Sequence, residues 1–224
     1  MPTGEYVVVR RAGLGSWRLD VSDSDLAEMA LFVRDAVGLV VPAAVDLPPA
    51  LNGPVADRRG VLSDRDRADA SVQWVWWWRQ ILEVEFGVKR GLRLSAAERR
   101  ATEAVAAVRS VSDPPEFTAL AHAPQLRAAV RASFNDVSRW RRHRVSRLEA
   151  GSNVDVVKQA VDDVAFDREV PVEALNGTLV VLPVEGVWWR RIAPGQILCS
   201  DTATSSPETF YQVVYEVVTS SLEQ

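Results

Sequence analysis

Cysteine, histidine and lysine are all scarce in this chain. The single cysteine, Cys199, excludes an internal disulfide and fits a reducing compartment. The two histidines, His122 and His143, stand in no metal-spaced cluster, so no metal site is expected. Lysine occurs only at Lys89 and Lys158, and the basic side is otherwise arginine. A GC-rich coding bias produces the same composition without functional meaning, although arginine is the better bidentate partner. No apolar run approaches the roughly 18 residues of a membrane span. The opening MPTGEYVVVRR has no charged segment followed by an apolar one, so no secretory signal is expected. These absences predict a soluble, cytoplasmic protein without membrane contact.

Nucleotide and hydrolase signatures are missing too. Gly13-Leu14-Gly15 lacks a third glycine and joins two strand-like segments, unlike a dinucleotide fingerprint. Neither GxxxxGK[ST] nor GxSxG occurs, and no cofactor is expected. The formal net charge of −4 gives no general attraction for polyanions.

What is present suits one large domain over 1–224, long enough to bury a core unaided. Residues 5–10 and 17–21 read as a hairpin. Ser22 is a cap candidate for a helix that stops near Gly38. The proline-rich connection 40–62 is too broken for a helix and reads as a lid or a static strap. Helices are expected over 63–86, from Ser95, over 124–150 and over 154–166. Asp113-Pro114-Pro115 is the candidate subdomain boundary.

The pattern then changes from the helical middle (22–166) to a β-meander plus helix (170–222). Asn176-Gly177, Glu185-Gly186 and Pro194-Gly195 predict turns between short antiparallel strands. Ser206-Pro207 opens a last helix with Phe210, Val213, Val214 and Val217 as its stripe. Strands and helices are segregated, so the expected class is α+β. Its antiparallel sheet would join the N-terminal hairpin to the C-terminal meander and pack against the helical middle.

Two helices carry the sharper signals. Trp74, Trp76, Trp77 and Trp78 cannot share one face, since successive residues turn by about 100°. Val72, Val75, Trp78, Leu82 and Phe86 line one side; Trp74, Trp77, Ile81 and Val84 line another. This predicts a buried, tryptophan-rich core helix. Trp76 lies in the polar strip with Asp69, Gln73, Gln80 and Glu83, where it would meet a partner or be covered by the 40–62 strap.

Residues 124–150 hold seven arginines against Asp136 and Glu149. Arg127, Arg131, Arg139 and Arg142 fall on the solvent-side arc and are the phosphate-contact candidates. Trp140 falls on the apolar stripe, which argues against base stacking.

Trp188-Trp189-Arg190-Arg191 sits on a strand, where neighbours face opposite ways and an exposed Trp beside Arg would anchor an interface. Cys199 with His122 or His143 could form a nucleophile–base pair, but nothing in the sequence brings them together. Ser200 and Asp201 read as a turn. No catalytic residue is assigned. The leading expectation is a non-enzymatic binding or protein-interaction protein. Its contacts would lie at Trp76, at Trp188, Trp189, Arg190 and Arg191, and on the 40–62 strap, and its partner would be another protein or a second copy. Nucleic-acid binding through the arginine helix and an enzyme of unrecognised type are the alternatives.

Overall fold

A computed structural model describes residues 5–6, 17–41, 47–91, 111–143 and 154–223. The turn at 11–16, the helix expected from Ser95, and the end of the arginine helix beyond His143 lie outside the described residues. The class is α+β, and the chain divides into two compact units: Met1–Ser24 with Ser146–Gln224, and Asp25–Val145.

The first unit is a five-stranded sheet in the order β1-β2-β3-β5-β4. Its strands are β1 (Glu5–Tyr6), β2 (Arg18–Ser22), β3 (Asn176–Leu182), β4 (Trp189–Ala193) and β5 (Gln196–Ser200). The hairpin and the C-terminal strands do share one sheet, but the expected antiparallel meander is corrected. β2 pairs with β3, and β3 with β5, in parallel; only the edge strands β1 and β4 are antiparallel to their neighbours. After β3 the chain skips one position to lay β4 at the rim. The Pro194-Gly195 hairpin, with Gly195 at φ +69, then returns β5 into the gap.

Burial explains this order. Every residue of β5 is buried, whereas β4 is half-buried to exposed. A strand apolar on both faces belongs inside a sheet, and one carrying two arginines belongs at its edge.

Asn176-Gly177 is not a turn; it begins β3, with Gly177 opposite Leu19 of β2. The glycine is there for space. A Cβ would stand 3.0 Å from Leu19 Cδ1 and 3.1 Å from both methyls of Val217.

Among its described residues the unit also has three α-helices: α4 (Val154–Asp167), α5 (Asp201–Ser205) and α6 (Pro207–Ser220). Helix α6 is capped by Ser206, whose hydroxyl accepts from Thr209 N, and carries Pro207 at its start. It packs on α4 and against β3 and β5. Its stripe Phe210, Val213, Val214 and Val217 joins Val157, Val161, Leu179, Val181 and Ile197 in one core.

The second unit contains α1 (Asp25–Val37), α2 (Asp64–Gly91) and α3 (Pro124–His143). Ser22, expected to cap α1, instead ends β2. Each of the three helices packs on the other two. Gly38 at φ +68 ends α1.

The following strap is fastened from within. The buried Arg34 guanidinium donates to the carbonyls of Pro48 (2.7 Å) and Pro49 (2.6 Å), and Asp35 accepts from Leu51 N (2.7 Å). Leu51 is buried, and Arg58 N donates to Ala36 O (2.8 Å). Residues 42–46 of the strap lie outside the described residues.

Candidate functional site

Helix α2 starts on a reciprocal cap. Ser63 Oγ accepts from Asp66 N (3.1 Å) and donates to the Asp66 carboxylate (2.6 Å). Its inner arc is aromatic. Trp74, Trp77 and Trp78 are buried, and the rings of Trp74 and Trp78 stack at 5.5 Å. Trp74 Nε1 donates to Ala30 O (2.7 Å) and Trp77 Nε1 to Val111 O (2.8 Å), so both rings enter the core with their polar edge satisfied.

The outer arc differs. Trp76 remains 42% exposed and Val72, one turn earlier, 74% exposed. The sequence pattern grouped Val72 with the apolar side; the structure places it in the open beside Trp76. Among the described residues, the ring that meets Trp76 comes from the turn before α3 and not from the strap. Trp76 meets His122 edge-on, with ring centroids 4.3 Å apart and planes at 85°.

Gln73 holds that geometry. Its amide donates to Gln125 Oε1 (2.8 Å) and its carbonyl accepts from Leu126 N (2.9 Å). Leu126 N is one of the free amides at the start of α3, so a side chain of α2 caps α3 and pins the His122 turn beside Trp76.

The four arginines singled out on α3 all have partners in their own unit. Arg127 donates to the Glu116 carbonyl (2.7 and 2.9 Å), and Arg131 lies 3.6 Å from the Glu116 carboxylate. Arg139 pairs with Asp136 (3.3 Å), and Arg142 donates to Ser138 O (3.2 Å). Asp136 is itself buried and also holds Arg58 at 2.6 Å. Arg141 pairs with Asp25 and Glu28. Trp140 packs on Phe32, ring centroids 5.6 Å apart.

The Trp188–Arg191 segment is also engaged. Trp188 precedes β4, and its backbone exchanges bonds with Ser200: N to Ser200 Oγ (3.0 Å), and Ser200 N to Trp188 O (2.7 Å). Trp189 Nε1 donates to Glu216 (2.8 Å), and Arg191 pairs with Glu223 (2.9 Å). Arg190 is half-buried and has an interaction of its own.

At the end of β5, Cys199 is fully buried, and burial together with the nearby Asp201 charge pushes its thiol up to about 12. It is a thiol at neutral pH, not a nucleophile. Ser200 and Asp201, expected in a turn, start α5 instead. The buried Ser200 hydroxyl accepts from Ala203 N as its cap.

Among the described residues no group of three or more His, Cys, Asp or Glu side chains is placed to hold a metal ion. No described helix is long and apolar enough to cross a membrane. No protein-family model, curated protein or solved structure matches the chain.

Proposed function

We propose that this chain is a non-enzymatic interaction protein and that its contact surface is the Val72–Trp76 ridge of α2. The observation that carries this reading is an aromatic ring left 42% exposed beside an exposed valine, on a helix whose other tryptophans are buried. Exposed tryptophans in prepared positions are characteristic binding anchors. Trp76 is held by His122, so docking costs little further side-chain freedom. The other candidate surfaces lend less support, because the arginines of α3 and the side chains of Trp189 and Arg191 already have partners within the chain.

The test is affinity capture from the native host with nuclease treatment, comparing the wild-type chain with Trp76→Ala. A bound protein present with the wild type and lost with the variant is the expected result. An identical set of bound proteins for both would refute the assignment of the surface.

A further inference from the structure

Resting on that reading, we propose that the occupant of the ridge is a second copy of the chain, docked antiparallel along α2 about a two-fold axis. The outer stripe of α2 reads Arg65, Asp69, Val72, Trp76, Arg79, Glu83, and each of these residues is exposed. They recur at spacings of three and four, so they lie on one arc of the helix.

The order of charges is self-complementary. With two copies antiparallel and centred at the level of residue 74, Arg65 faces Glu83 of the second copy and Asp69 faces Arg79. Val72 faces Trp76. Two-fold symmetry makes each of these contacts twice. A parallel, in-register pairing would instead oppose Arg65 to Arg65 and Asp69 to Asp69, so the charges select the antiparallel arrangement.

Within the described part of the chain these charges are largely unused. Among the described residues, Arg65, Asp69 and Arg79 make no ion pair and no side-chain hydrogen bond, and Glu83 accepts only from Gln80 (3.2 Å). Intrahelical pairs at i,i+4 would join Arg65 to Asp69 and Arg79 to Glu83. Both have the basic residue first, which is the less favourable order, and neither forms. The stripe from Arg65 to Glu83 spans about 27 Å of helix. An interface of that length with one tryptophan anchor from each copy lies at the small end of the range, giving a reversible dimer of about micromolar affinity.

Sedimentation equilibrium of the full chain over a concentration series tests this directly. The wild type is expected to pass from monomer to dimer. Asp69→Arg and Arg79→Asp each replace two attractive contacts by two repulsive ones and should weaken association by about tenfold or more. The double variant, and an equimolar mixture of the two single variants, restore opposite charges and should recover dimer to within about threefold of wild type. Far-ultraviolet circular dichroism checks that each variant remains folded.

A wild type that stays monomeric throughout overturns the proposal, as does a dimer insensitive to both reversals. If the chain is monomeric yet captures a different protein through Trp76, the second copy is refuted and the interaction reading stands. If the chain is monomeric and Trp76→Ala changes no capture, both fall.

Discussion

Helices α2 and α3 both turn charged side chains to solvent, and the second unit uses them in opposite ways. On α3 the outer arginines reach Glu116, Asp136 and Ser138. On α2 Arg65, Asp69 and Arg79 reach nothing among the described residues, although they flank the exposed Val72 and Trp76. The helix with the larger net charge, α3, is therefore the more self-contained. Composition draws the eye to α3. What separates the two faces is whether each group is already satisfied.

The sharpest way to test the division within α2 is to compare its inner and outer tryptophans. Trp77 is wholly buried and hydrogen-bonded to Val111 O. Trp77→Ala should lower stability by about 3–5 kcal/mol, the usual range for emptying a large aromatic site. Trp76→Ala, at a surface position, should cost less than about 1 kcal/mol. Urea unfolding of the two variants measures both. Equal losses would mean that Trp76 is a core residue and that the ridge is no binding surface.

Carboxylates offer the next comparison. Asp136 of α3 is 7% exposed and holds Arg58 and Arg139, so Asp136→Ala should cost about 1–3 kcal/mol. The two arginines are 42% and 64% exposed and can rehydrate, which keeps the loss below that of a fully buried pair. Asp69→Ala on α2 should change monomer stability by no more than about 0.5 kcal/mol. A large loss at Asp69 would reveal an internal partner and remove the contrast.

The first unit supplies a reference for engaged polar groups. The Tyr211 hydroxyl donates to Asp163 and that of Tyr215 to Asp167, both at 2.8 Å, tying α6 to α4. The Asp163 hydrogen bond, with burial and the nearby Asp163 charge adding to it, pushes Tyr211 up from 10.0 to about 12. The folded state thus favours the neutral phenol. The resulting stabilisation is complete below about pH 10 and is lost as pH rises from there through about 12. Tyr215 shifts in the same direction for the same kind of reason. Tyr211→Phe should cost about 0.5–1.5 kcal/mol at neutral pH and flatten the alkaline fall in stability. Melting curves between pH 8 and 12 would show it, and an unchanged alkaline slope would mean that the hydrogen bond is not formed.

Much of the helical structure was legible in the sequence, because its signals are local. Ser63 with Asp66, Ser206 with Pro207, and the four-residue recurrences of α4 and α6 each act within a turn or two. Sheet order was not, because a turn signal says that the chain reverses and not which strand it comes to lie beside. Asn176-Gly177 has the composition of a hairpin turn, but the glycine answers to Leu19 and Val217, distant in sequence. A cue was present nonetheless: Leu179–Leu182 and Ile197–Cys199 are unbroken apolar runs, as strands buried on both faces are, and β4 with its two arginines is not. The ridge on α2 was half legible. Trp76 stood out among polar neighbours. Val72 did not, because a helical wheel orders residues around the axis without saying how wide an arc α1 and α3 will cover.

The smallest expected effect tests the other half of the contrast. If the outer face of α3 is complete in itself, Arg131→Ala and Arg142→Ala should each alter stability by less than about 0.5 kcal/mol, as for exposed ion pairs and single surface bonds. They should also leave nothing to lose in a mobility-shift assay, because a net charge of −4 supplies no general attraction for nucleic acid and these guanidinium groups already have acceptors. A retarded band that fades with added salt, and weakens further with each arginine removed, is the signature of phosphate contacts. Its appearance would show that Glu116 and Ser138 release those arginines to a stronger acceptor. The contrast between the two helices would then concern affinity for different partners, and no longer the presence or absence of one.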